Sequence, residues 1–219
     1  MIKIENMEVW GFQHAIRGMR NPLNSWDRSD SQFNGSDTDM KIGENDLGLM
    51  RRLYKGGQPH RKYLRQIFVS MDITAPLYWW KEFDTYKVGT TANSCSTMHK
   101  IHDKPFVLED FSFEHLFDWT EEVEDNSTHY DAVEWLKTTI NQLNHARLLF
   151  VNTKNKDYWW LMIQLLPTSY NQKRTVTMTY ENIMNMLEYR EGHKLDEWRE
   201  FCTILKSLPY VEEIREQKD

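Results

Sequence analysis

The chain has 219 residues, 40% of them hydrophobic, which suffices for one core and predicts a single domain over 1–219. Its net charge of −6 argues against a general nucleic-acid surface while leaving room for a local basic pocket around one nucleotide. No apolar run reaches the roughly 20 residues of a membrane span, Met1 to Glu5 carries no apolar leader, and the two cysteines form no disulfide framework, so the expectation is a cytoplasmic protein with no membrane partner.

In chain order, residues 2–12 alternate through Ile2, Ile4, Val9 and Phe12 and predict a strand leading into a short helix near His14 to Met19. Residues 21–45, rich in Asn, Asp, Ser and Gly, predict a long loop anchored by Trp26, Phe33 and Met40 and ordered by a ligand. Asn45 is placed to cap a helix with Leu47, Met50 and Leu53 on one face, ended by Lys55 and Gly56-Gly57. The run 67–74 sets Ile67, Val69, Met71 and Ile73 on one side, the clearest strand in the chain. Pro76 then suits the first position of a helix striped by Leu77, Trp80 and Phe83, with Gly89 a terminator in the loop beyond.

Residues 106–116 and the acidic turn 121–128 read as surface structure. A long helix follows over 131–151, with Val133, Leu136, Ile140, Leu143 and Phe150 on one side, and Asp157 opens another whose Trp159 and Trp160 read as core or subunit contact. In 166–190 a turn at Leu166-Pro167 precedes a strand with Val176 and Met178 on one face and Thr175, Thr177 and Thr179 on the other. A helix then buries Ile183, Met184, Met186 and Leu187 and carries Asn185 and Arg190. Arg190 admits two readings, a planar fork for a ligand or an ion pair with Glu188 or Glu191. A last amphipathic helix holds Leu195, Trp198, Cys202 and Leu205, and 212–219 reads as a solvated charged end.

Two of these stretches, taken together, resemble the flavin-dependent thymidylate synthases. Leu166, Pro167, Thr177, Met184, Asn185, Leu187 and Arg190 match in register that family's L-P, T-x-N and L-M-N-F-L-x-L-R run. The strand, Ala75-Pro76 and helix resemble the segment ahead of its R-H-R-x-x-S-x-N-x-x-S-x-R signature. There Thr85-Tyr86-Lys87 stands at R-H-R, Thr90 or Thr91 at the first serine, Asn93 at the asparagine, Ser96 at the second serine, and Met98 at the last arginine.

The resemblance implies an α+β fold, a central sheet flanked by helices, and a homotetramer with active sites at subunit interfaces. It implies reductive methylation of a pyrimidine deoxynucleotide, deoxyuridylate, with FAD as flavin and with NADPH and methylenetetrahydrofolate as co-substrates. Arg190 would hold and polarise the pyrimidine, Lys173 or Arg174 with Ser96 would take the phosphate, and Thr85, Tyr86, Lys87, Asn93 and Asn185 would line the flavin side. Loss of two arginines and a histidine from the signature predicts weak FAD binding. A divergent relative acting on another pyrimidine nucleotide or another folate-derived carbon, and a non-catalytic nucleotide-binding oligomer, are the other readings.

Other chemistry has less in its favour. His99, His102 and Asp103 lack any H-E-x-x-H context and read as solvated loop residues rather than metal ligands. Cys95 has no neighbouring His or Arg in sequence and reads as an unreactive thiol. There is no Gly-rich phosphate loop, which sets aside a Rossmann or kinase reading.

Overall fold

The structure, a computed structural model, describes residues 2–35, 39–123 and 126–216, the side chains of 122, 123, 126 and 127 excepted. The elements run β1 (Lys3–Trp10), α1 (Phe12–Arg20), β2 (Gln32–Phe33), β3 (Met40–Lys41), α2 (Glu44–Lys55), β4 (Phe68–Pro76), α3 (Leu77–Phe83), β5 (Thr90–Ser94) and α4 (Thr97–Lys100). They continue through β6 (Trp119–Val123), β7 (Asn126–Tyr130), α5 (Ala132–Thr153), α6 (Lys156–Leu165), β8 (Asn171–Thr179), α7 (Tyr180–Arg190), α8 (Asp196–Lys206) and α9 (Val211–Arg215). The fold is α+β, with a central antiparallel sheet in the order β1-β4-β8-β5. No helix among the described residues is long and apolar enough to cross a membrane. Contacts divide the chain into two compact units, a sheet unit of 2–73, 83–93 and 174 onward, and a hairpin unit of 74–82 and 94–173.

In the sheet unit the period-2 pattern is realised, with Ile67, Val69, Met71 and Ile73 buried beside Val176 and Met178. The alternate positions are polar and cross-linked: Thr175 donates to Asp72 at 2.6 Å, Thr177 to Ser70 at 3.1 Å, and Asn6 to Asp72 at 2.9 Å. Thr179 caps α7 by accepting from the Asn182 amide, and Ile183, Met184, Met186 and Leu187 are buried behind it. Phe12 meets Tyr180 edge-on at 5.3 Å, and Phe83, Trp198 and Phe201 form a second aromatic cluster.

Four expectations for this unit are corrected. Asn45 lies inside α2, whose N-cap is Gly43; the capping acceptor comes from afar, since the Asp30 carboxylate takes the Asn45 and Asp46 amides at 2.9 and 3.1 Å. Residues 21–45 are not one irregular loop, for 3-10 turns at Asn21–Leu23 and Trp26–Arg28 and the β2-β3 pairing shape them. Within that stretch residues 36–38 lie outside the described residues. Trp26 is no anchor, being 51% exposed with its indole N–H on Asn21. The charged end folds as α9, with Val211 and Ile214 buried, a stripe one turn long and too short to stand out in sequence; 217–219 lie outside the described residues.

In the hairpin unit α5 packs against α6 and a core forms from Ile101, Phe106, Phe111, Leu136, Ile140, Leu143, Ala146 and Met162. Phe106 and Phe111, expected at the surface, are thus core residues. The Asn144 side chain holds the Phe106 backbone at both its N–H and its carbonyl, at 2.8 and 2.9 Å. Residues 121–128 are not an acidic turn but most of the β6-β7 hairpin, whose ends are joined by Trp119 stacked on Tyr130 at 4.8 Å; residues 124–125 lie outside the described residues. Pro76 closes β4 instead of opening α3, where the amides of Leu77 and Tyr78 find the carbonyls of Tyr170 and Thr168, both at 3.0 Å. Trp159 packs on the core and donates to the Met98 carbonyl, while Trp160 is 46% exposed.

Candidate functional site

Within the sheet unit, α7 delivers Arg190 to an aromatic setting at its C-terminal turn. The Arg190 Nε donates to the Tyr86 hydroxyl at 3.1 Å, and the guanidinium carbon lies 5.1 Å from the Trp198 ring centroid and 5.7 Å from that of Tyr86. Trp198 is fully buried, so the guanidinium has a fixed apolar wall behind it. Of the carboxylates weighed as its partner, Glu191 is bonded to Arg215 at 2.8 Å and Lys206 at 3.0 Å. Burial alone would raise the Glu191 carboxyl, but these two cations outweigh it and hold it below its ordinary value.

The segment from Thr85 to Asn93 is fixed in the same unit by a residue that sequence reasoning missed. Buried Asn182 donates to the Val88 carbonyl at 2.7 Å and to the Thr90 hydroxyl at 3.0 Å, and accepts from the Thr179 hydroxyl at 2.6 Å. Gly89, at φ +76°, completes the turn, and a Cβ there would stand 3.0 Å from Asn182 Oδ1. The available signal was the Thr179-x-x-Asn182 spacing, an N-cap whose third residue carries an amide. Thr85, Lys87 and Asn93 are exposed on this segment. Tyr86 and Asn185 share a cavity of about 430 Å³ with Gly57, Gln58, Glu188 and Tyr189. Arg174 also belongs to this unit, its guanidinium donating to Asp84 at 2.8 Å.

Within the hairpin unit, Ser96 and Lys173 line one cavity of about 420 Å³, together with Cys95, Lys100 and Lys104. Two bonds hold the wall in place: the Cys95 amide donates to the Lys173 carbonyl at 2.9 Å and the Gln172 amide group to the Cys95 carbonyl at 2.8 Å. Ser96 caps α4 by accepting from the His99 amide at 3.0 Å, a role that leaves its own hydroxyl proton able to donate. Asp110, bonded to Lys104 at 2.6 Å, raises that ammonium above its ordinary value. The His102 ring packs edge-on against Phe150, and no group of three or more metal-ligating side chains gathers among the described residues.

Seven of the nine candidate side chains therefore lie in the sheet unit and two, Ser96 and Lys173, in the hairpin unit. Neither a family model nor a curated protein matches the sequence. Solved structures match nearly all of the chain. Thymidylate synthase X (ThyX) from Helicobacter pylori, with FAD and dUMP, is 18% identical at a TM-score of 0.64, over 97% of this chain and 96% of that one. A second structure, of the flavin dependent thymidylate synthase ThyX from the same organism with the same ligands, gives 18% identity and a TM-score of 0.60 over 97% and 95%. The UMP/dUMP methylase PolB from Streptomyces cacaoi, bound with 5-Br UMP, is 12% identical at a TM-score of 0.64 over 98% and 94%. At these identities the likeness fixes the fold, and the chain has the α+β fold of the flavin-dependent thymidylate synthases and the UMP/dUMP methylase.

Proposed function

We propose that the chain, as one domain over 1–219, is an enzyme that reductively methylates the pyrimidine of deoxyuridylate or uridylate, using FAD, NADPH and methylenetetrahydrofolate, as a cytoplasmic homotetramer. The observation that carries the reading is Arg190, set against Trp198 and Tyr86 at the end of α7 in a chain that follows, over nearly all of its length, the fold of enzymes crystallised with FAD and dUMP or with a brominated UMP. Arg190 carries a charge-delocalised planar fork of a kind that suits the pyrimidine carbonyl oxygens, where negative charge develops during reduction. The Lys173 ammonium and the Ser96 hydroxyl hold the nucleotide phosphate, with Arg174 nearby in sequence as a further cation.

The lining of the cavity beside Tyr86 fits the ring portion of a flavin. The Tyr86 and Tyr189 phenols offer flat faces, and the Gln58 and Asn185 amides offer paired donors and acceptors. Bound flavin supplies the hydride; the protein positions it. For the pyrophosphate, exposed Lys87 is the cation of the segment 85–87, with Thr85 and Asn93 as neutral donors. Each charge-assisted bond lost relative to an R-H-R segment weakens binding by about 1.5–3 kcal/mol, so FAD is expected to bind at least about tenfold more weakly than to proteins that keep the signature.

The UMP/dUMP methylase among the neighbours favours testing the ribonucleotide on equal terms. Absorbance spectra of the protein titrated with FAD, followed by calorimetric titration with dUMP and UMP, test the reading. A flavin spectrum perturbed on addition of saturable nucleotide is expected. No saturable binding of either nucleotide would leave a non-catalytic oligomer as the better account.

A further inference from the structure

The charge of this chain is unevenly placed. Between Lys104 and Lys137 the sequence holds ten Asp and Glu and no Lys or Arg, against a net charge of −6 for all 219 residues, so the remainder is net positive. This acidic stretch contains the β6-β7 hairpin, which forms a two-stranded sheet of its own and therefore keeps an outer edge on each strand. One face of that sheet is aromatic. Trp119 and Tyr130 are cross-strand partners stacked at 4.8 Å, and Trp135, near the start of α5, meets them edge-on at 5.7 and 5.6 Å. Phe117 extends the group, its ring 6.2 Å from that of Trp119. Glu121 lies on the same face, since its carboxylate accepts from the Tyr130 hydroxyl at 3.2 Å.

Stacking of Trp119 on Tyr130 accounts for the pairing of the two strands, but not for the openness of the other rings. Phe117 is 71% and Trp135 56% exposed, and neither belongs to the core of the hairpin unit around Leu143 and Met162. Open ring faces attract cations through their quadrupole, and carboxylates beside them strengthen that preference. Asp118 and Glu121 are exposed on β6 or next to it, and Glu134, exposed beside Trp135 in the chain, is paired with Lys137. Negative charge of this density repels a nucleic-acid strand or an anionic membrane. From this arrangement we infer that the aromatic face of β6-β7, with Phe117 and Trp135, is a docking surface for an extended, arginine-bearing segment of another protein. Guanidinium groups of the segment stack on the open rings and pair with Asp118 and Glu121, while its backbone adds to the outer edge of one strand. Arginine is favoured over lysine, because a planar guanidinium can stack on a ring and still reach a carboxylate. The surface lies outside every position assigned to nucleotide or flavin, and its role does not rest on the proposed reaction.

The test uses the full chain and two short fluorescein-labelled peptides, one alternating Arg with Thr and the other Glu with Thr, followed by fluorescence anisotropy at constant ionic strength. Saturable binding of the Arg peptide is expected, with none of the Glu peptide. Phe117→Ala with Trp135→Ala, and separately Asp118→Asn with Glu121→Gln, should each weaken it at least about tenfold while circular dichroism stays unchanged. Glu8→Gln with Asp27→Asn, which removes two exposed carboxylates of the sheet unit, should leave it unaltered. An equal loss in that control would reveal only general attraction to an acidic chain and would overturn the assignment, as would Arg-peptide binding that survives the aromatic variant. Tighter binding of a single-stranded oligonucleotide than of the Arg peptide would make the rings a platform for bases and count against a protein partner. Sedimentation of the free protein covers the remaining occupant: a wild type indifferent to the Arg peptide, with an oligomer that the aromatic variant dissociates, would mean that the face meets a second copy and that the inferred partner is wrong.

Discussion

Arg190 carries two separable loads, and substitution distinguishes them. Its cation lies over Trp198 and Tyr86, an interaction of about 0.5–1 kcal/mol that lysine keeps in part. Its fork, by contrast, is lost in lysine as fully as in alanine, because a point charge cannot reach two acceptors with parallel N–H bonds. Arg190→Lys and Arg190→Ala are therefore both expected to weaken nucleotide binding by about 2–4 kcal/mol with thermal midpoints little changed. Calorimetry with dUMP and UMP checks this, and equal affinity in the lysine variant would return Arg190 to a structural role. The two thiols separate in the same way. Burial pushes the Cys202 thiol up to about 11, chiefly by desolvation, whereas Cys95 is exposed. At pH 8 a disulfide reagent should titrate one thiol quickly in the native protein and the second only after unfolding; two fast thiols would contradict the burial of Cys202.

At the scale of elements, a single carboxylate organises the stretch that looked irregular. Asp46, fully buried in α2, accepts from Arg20, Ser29 and Ser31 and so fixes the chain between α1 and β2 onto the helix. Removing it by Asp46→Ala strands the Arg20 charge and should destabilise the protein by about 3–5 kcal/mol. Burial alone would raise this carboxyl, but the bonds from Ser31, Ser29 and Arg20 prevail and hold it below its ordinary 3.8. A value depressed by folding means that the stabilisation is complete above the unfolded value, near pH 4, and is lost as pH falls through the lower folded one. The gap in thermal midpoint between wild type and Asp46→Asn should therefore narrow below pH 4, and a gap constant down to pH 2 would argue against the charge.

What sequence could and could not reveal follows the same physics. Elements carrying their own periodicity were legible, as the burial of Val69, Met71, Val176, Met178 and Ile183 shows. Remote pairings were not: α2 and a stop at Gly89 were expected, but not that Asp30 caps α2, that Asn182 holds the turn at Gly89 or that Asn144 clamps Phe106, and of these only the Thr179-x-x-Asn182 spacing leaves a local pattern. β5 escaped because Thr90 to Ser94 is polar and mostly exposed, a strand by pairing rather than by composition. At the candidate site, Asn185 and Arg190 stood out as polar positions in the helix pattern and Tyr86 came from the family resemblance, while the aromatic wall of Trp198 behind Arg190 needed coordinates.

At the scale of the whole molecule, the helical pair of the hairpin unit leaves several large apolar side chains partly open. Leu148 of α5 is 53% exposed, and Trp160, Leu161 and Leu165 of α6 are 46%, 45% and 47% exposed. These two helices pack on each other, so the exposed residues belong to one helical pair whose buried side is already taken by the core around Leu143 and Met162. Apolar side chains left open on paired helices suit an interface, and the proposed tetramer is where these helices would be covered. The wild-type protein should sediment as a tetramer at micromolar concentration, and Trp160→Glu with Leu161→Glu should reduce it to a smaller species. Because both side chains are partly solvent-facing, the monomer's own fold should survive, with its circular dichroism unchanged. If nucleotide sites are shared between subunits, the dissociated variant should also lose dUMP binding although every candidate site residue remains intact. A wild-type monomer, or a dissociated variant that still binds nucleotide with full affinity, would show that each chain holds its site alone.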